Sequence, residues 1–90
     1  MFEVFTYSND EISQAIKDDI SEWSIGLWWD DLDEADVSNT ILVWDDNDII
    51  GFQTINSDNE TIAIEVKESY QGKGISRLMI NESKKIHESD

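Results

Sequence analysis

Cysteine and proline are absent from the 90 residues, histidine occurs once, and 6 lysines and arginines stand against 21 aspartates and glutamates. Without cysteine there is no disulfide staple, no thiolate-ligated zinc or iron–sulfur site and no thiol nucleophile. The scarcity of lysine and arginine argues against direct contact with nucleic acid, because binding phosphates needs clustered basic side chains. No apolar run approaches the roughly 20 residues that span a membrane, and Met1-Phe2-Glu3 lacks the basic and then apolar opening of a signal peptide. The expectation is a soluble, cytoplasmic protein with no membrane partner.

The length predicts one domain over residues 1–90. A chain so short buries only about 60% of the surface its unfolded form exposes, so its stability is marginal or shared with a partner. Hydrophobic content of 39%, with 4 Trp, 3 Phe and 2 Tyr, suffices for a compact core. The formal net charge of -15 is unevenly spread: up to Ala63 there are 16 acidic residues against Lys17 alone, while the remainder balances 5 acidic with 5 basic residues. One consequence is a solvated acidic surface that keeps a small protein in solution. The other is a surface that recruits cations: a polyamine, a lysine-rich protein, or a basic protein groove built for nucleic acid.

Phe2-Glu3-Val4-Phe5-Thr6-Tyr7 alternates in the manner of a strand. Ser8 followed by Glu11 reads as a capping box, and Ile12, Ile16, Ile20 and Trp23 then recur at helical spacing, which predicts an amphipathic helix over residues 9–23. Gly26 ends it, and Leu27, Trp28, Leu32 and Ala35 among dense aspartates predict a short second helix or an ordered loop. Residues 40–44 and 49–55 form a hairpin signal around Asp45-Asp46-Asn47-Asp48, and Thr61–Val66 reads as the next strand of the meander. From Ile75 the spacing of Leu78, Met79 and Ile86 is helical again. The predicted class is α+β, in the order β-α-α-β-β-β-α, with a mainly antiparallel sheet.

Gln71-Gly72-Lys73-Gly74-Ile75-Ser76 lies between the last strand and the last helix and holds two of the four glycines. Unpaired amides of a first helical turn, at the positive end of the helix dipole, form a geometry that binds phosphate. Glycine lets the backbone approach the anion closely, and Lys73 and Arg77 add charge beside it. The turn is too short for a Walker A motif and lacks the dinucleotide spacing. A tight strand-to-helix turn is the competing interpretation.

Residues Val66 to Met79, with Gln71-x-x-Gly74-x-Ser76 at their centre, resemble the acetyl-coenzyme A signature of the GCN5-related N-acetyltransferases. That signature is Gln/Arg-x-x-Gly-x-Gly/Ala after a strand ending in valine; Ser76 replaces the last small residue with another. The resemblance implies a three-layer fold truncated after the signature helix, with acetyl-CoA as cofactor. Amides from Gln71 through Gly72, Lys73, Gly74 and Ile75 to Ser76 would hold the diphosphate, and Glu65 and Val66 would pair with the pantetheine arm. It further implies direct attack of an amine on the thioester, with a carboxylate or an ordered water removing the proton; Glu65 and Glu68 are the nearest carboxylates. Either a second copy of the chain or another subunit completes the sheet at the Thr61–Val66 strand, or a minimal form works without it, or the fold is kept without the activity.

Trp28 and Trp29, with Asp30, Asp31 and Asp33, are the candidate wall for a cationic acceptor or partner, since an aromatic face beside carboxylates suits a cation; core packing is the competing interpretation of the tryptophan pair. Asp45-Asp46-Asn47-Asp48 lacks the glycine and distal glutamate of a calcium loop, so no metal is expected there. Two functions stand side by side. One is an acyl-CoA-dependent N-acetyltransferase acting on a protein lysine or a polyamine. The other is a non-catalytic acidic protein on the same fold that fills a basic groove, similar to phage-encoded DNA-mimic inhibitors of restriction or CRISPR nucleases.

Overall fold

Alternation in the two central strands decides the layering. The computed structural model describes residues 2–24, 37–58 and 60–88. In β2 (Val37–Asp45), Leu42 and Trp44 project to one face of the sheet while Ile41 and Val43 project to the other. A sheet apolar on both faces needs a cover on each. Helix α1 (Gln14–Trp23) packs on the first face, where Ile20, Leu42, Ile49 and Phe52 are buried with Ile12 and flanked by Ile16 and Trp23. Helix α2 (Ile75–Glu88) covers the second, where Ile75 and Met79 join Ile41, Val43, Ile50 and Ile55. The described residues therefore form a helix, sheet, helix stack of α+β type.

The sheet is antiparallel throughout, in the order β1 (Phe2–Ser8), β2, β3 (Asp48–Asn56) and β4 (Thr61–Val66). Its register places Val4 opposite Val43, Leu42 opposite Phe52, and Phe52 opposite Glu65. A bulge sets Ile50 out of register between the Val43–Gly51 and Trp44–Ile49 pairs. That one extra residue lets both Ile49 and Phe52 face α1 while Ile50 faces α2. The β2–β3 turn closes through Asp46, whose φ of 56 lies in the left-handed region that aspartate tolerates better than most residues. The next turn is built on Asn56, whose side-chain oxygen accepts from the amides of Asp58 and Glu60 at 2.9 and 2.8 Å.

The first helix begins later than its sequence predicts. Ser8 donates from its amide and its hydroxyl to Glu11 Oε1 at 2.8 and 3.0 Å, but Asn9–Glu11 form a single 3-10 turn. Ser13 is the true N-cap: its hydroxyl accepts from the Ile16 amide at 3.3 Å, and α1 runs from Gln14. Ser24 closes the other end, its amide donating to the Ile20 carbonyl at 2.9 Å. The second helix expected after Gly26 falls outside the described residues. No helix among the described residues is long and apolar enough to cross a membrane.

Candidate active site

The chain leaves β4 by a route that opens a groove. Lys67, just past the strand, donates its amide to the Ile50 carbonyl at 2.8 Å. Main-chain groups alternate along an antiparallel strand, so those of Glu65 also turn toward β3, whereas those of Ile64 and Val66 turn outward. Among the described residues β4 has no neighbour on that outer side. A 3-10 turn over Glu68–Tyr70 follows, and Tyr70 and Gln71 donate their amides back to Lys67 and Glu68 at 2.8 and 3.2 Å. The Gln71 side chain reaches round to donate to the outward Val66 carbonyl at 3.1 Å, tying the turn to the strand edge.

Gly72 and Gly74 then take φ of 82 and 79, and α2 begins at Ile75. The first backbone bond into the helix runs from Leu78 to Gly74 at 3.2 Å. The turn at Gln71–Gly72 directs the Lys73 amide back toward the chain, and among the described residues the amides of Gly72 to Arg77 make no close hydrogen bond. A Cβ built on Gly72 or Gly74 would meet nothing within 4 Å, so the space beside both glycines is open. The turn borders a hollow of about 360 Å³ lined by Val66, Tyr70, Gln71, Gly72, Gly74, Ile75 and Ser76. Beside it, along the outer edge of β4, lies a second of about 310 Å³ lined by Ile64, Glu65, Val66, Gln71 and Ser76. Shared walls at Val66, Gln71 and Ser76 make these one groove, with open amides at one end and the outward strand edge at the other.

The two carboxylates singled out from sequence are parted. Glu65 stands opposite Phe52, on the α1 side of the sheet, and borders the groove. Glu68 belongs to a wider hollow of about 720 Å³ with Trp23, Lys67 and Ser69, where the Lys67 ammonium lies 5.9 Å from the centre of the Trp23 ring. The Gln71 amide is already used inside the 3-10 turn, so the amides available to an anion run from Gly72 onward. Lys73 does not cover the turn: its ammonium lies 5.4 Å over the ring of Tyr70. Trp28, Trp29, Asp30, Asp31 and Asp33 lie outside the described residues.

Sequence reasoning passed over the residues that support the turn from below. The Tyr70 hydroxyl donates to Asp45 Oδ2 at 2.7 Å, and Phe2 meets the same ring edge-on at 6.0 Å. That hydrogen bond foremost, then partial burial and the charges of Asp45, Asp48 and Asp46, push the Tyr70 hydroxyl above its ordinary value of 10.0 and keep it a donor. An aromatic residue directly before the glycine turn was the available signal. Its partner 25 positions away was not deducible from spacing.

The model of the Acetyltransferase (GNAT) family matches residues 5–89. No curated protein and no solved structure matches the chain.

Proposed function

The chain belongs to the GNAT acetyltransferase family, and from that premise we propose that it transfers the acetyl group of acetyl-CoA to the amine of a basic acceptor, a protein lysine or a polyamine. The observation that carries this reading is the run of unpaired amides from Gly72, on two glycines of positive φ, at one end of a groove whose other end is an open strand edge. A diphosphate needs several N–H donors and room for close approach, and the turn offers amides without close partners beside two glycines with open space around them. An amide-bearing arm needs a strand edge, and the outward groups of Ile64 with the Val66 amide provide one, the Val66 carbonyl being taken by Gln71. The residues present therefore fit acetyl-CoA.

Each part of the groove has a distinct task. The amides of Gly72 to Ser76 hold the diphosphate, with Lys73 adding charge. Val66 and Ile64 align the pantetheine arm. When bound, acetyl-CoA would supply an activated acetyl thioester, its carbon–sulfur bond breaking as the acceptor nitrogen bonds the carbonyl carbon and CoA leaving as a thiolate that takes a proton from water. The proton lost by the nitrogen passes to Glu65 directly or through a water, a contribution of about 10²- to 10⁴-fold for a positioned base. Glu68, which lines the neighbouring hollow with Lys67, is the second candidate carboxylate for that proton. The 16 acidic residues up to Ala63 attract a cationic acceptor and raise its local concentration.

The direct test is CoA-thiol release by the purified chain with acetyl-CoA and either spermidine or a lysine-containing peptide. Turnover above the no-enzyme rate, reduced by Glu65→Gln, is the expected result. No turnover and no acetyl-CoA binding, together with a salt-sensitive affinity for a basic nucleic-acid-binding protein, would replace this reading with that of the acidic decoy. Pairing of β4 with a second copy would use the same edge as the pantetheine arm, so acetyl-CoA should dissociate any such dimer in light scattering.

A further inference from the structure

The turn that carries the open amides is not held by its own hydrogen bonds alone. Tyr70, two residues before Gly72, donates to Asp45 Oδ2 at 2.7 Å, so the turn is fastened to the base of the β2–β3 hairpin. Phe2 packs edge-on against the ring, at 6.0 Å and 75°, and limits its sideways movement. On the Tyr70 ring rests the Lys73 ammonium, 5.4 Å from its centre. A flexible four-carbon side chain in open solvent has no reason to favour one position; a fixed aromatic face provides one. Tyr70 also lines the hollow that the amides border, and Lys73, which does not itself line that hollow, lies against the ring of a residue that does.

We infer that Tyr70, fastened by Asp45, is a positioning residue that presents the Lys73 charge to a diphosphate in the groove. The inference rests on the reading of that groove as the acetyl-CoA site and adds the residues that set its affinity. Tyr70 touches no reacting atom; it acts through Lys73. Its loss therefore raises KM for acetyl-CoA and leaves kcat unchanged. A lysine ordered in advance spends less entropy on contact, which is how the pair improves binding without a new bond from the tyrosine.

The test titrates acetyl-CoA and, separately, inorganic pyrophosphate by calorimetry into the wild-type chain, Tyr70→Phe, Lys73→Ala and the double variant. Asp45→Asn and Asp45→Ala address the other end of the bond, so the result does not depend on one substitution folding. Each of Tyr70→Phe, Asp45→Ala and Lys73→Ala should weaken both ligands about three- to tenfold, the range of one ordinary solvent-exposed contact. The double variant should be no weaker than Lys73→Ala alone, because two residues acting through one contact are not additive. Asp45→Asn, whose side-chain oxygen still accepts, should bind more tightly than Asp45→Ala. Additive losses, or a Tyr70→Phe variant that binds both ligands as the wild type does, would overturn the inference while leaving the acetyl-CoA reading intact. Pyrophosphate binding with the expected coupling but no binding of acetyl-CoA would uphold the inference and overturn that reading alone. A wild-type chain that binds neither ligand would overturn both.

Discussion

Replacing Gly74 with alanine isolates the backbone geometry of the turn from everything around it. Gly74 has φ of 79, and a Cβ there would meet nothing within 4 Å. The cost therefore contains no clash and reduces to holding an L-residue in the left-handed region, about 1–2 kcal/mol. For a domain of 60–100 residues each 1 kcal/mol shifts the melting temperature by about 4–8 °C, so the variant should melt roughly 4–16 °C below the wild type. Asparagine tolerates positive φ better than alanine does, so Gly74→Asn should lose clearly less. Thermal unfolding followed by tryptophan fluorescence reads both values. The same pair at Gly72, where φ is 82 and the space is equally open, should repeat the ranking. An alanine variant as stable as the wild type, or an asparagine variant as costly as alanine, would refute the assignment of this conformation to the turn.

At Gly51 the opposite argument applies, since its φ is ordinary and its surroundings are full: a Cβ would lie 3.1 Å from Ile75 Cγ2 and 3.3 Å from Met79 Cε. Overpacking costs about 1–3 kcal/mol and the stiffer chain returns roughly 0.5–1, so Gly51→Ala should be destabilised in denaturant titrations. Ile75 opens α2, so the same variant should also bind acetyl-CoA more weakly; a stabilised variant with unchanged binding would show that the helix does not rest on this glycine. Glu11 is held below its ordinary value of 4.5, first by the Ser8 amide and then by the Ser8 hydroxyl. A carboxyl with a depressed pKa in the folded state stabilises above its unfolded value, and that contribution is lost as pH falls through the folded one. Glu11→Gln should therefore reduce stability at neutral pH and narrow the gap to wild type below about pH 4; an unchanged gap across that range would contradict the contact.

How much of this was legible in the sequence depended on range. β4 has the bounds its alternating Thr61-Ile62-Ala63-Ile64-Glu65-Val66 run predicts, because period-two patterning against a covered face is a local signal. The start of α1 was misread because two serines compete to cap it. Ser8 has the glutamate three residues on, yet Ser13 caps the helix, and only the fold decides which turn continues. The bulge at Ile50 left no mark, since one extra residue in an all-apolar run changes no composition. The glycine turn between the last strand and the last helix was legible from its residues alone. That its first amide is spent on Glu68, that Glu65 and Glu68 part into different hollows, and that Tyr70 reaches Asp45 all follow from strand register and a 3-10 turn that the sequence does not encode locally.

Calorimetric titration of acetyl-CoA into the wild-type chain and into Gly74→Glu bears most directly on whether the open amides grip a diphosphate. Gly74→Glu sets a carboxylate where the anion would lie, and a binding isotherm present in the wild type and abolished in the variant is the predicted result. Equal binding by both would place the ligand elsewhere, and no binding by the wild type at millimolar acetyl-CoA would contradict the account at its foundation.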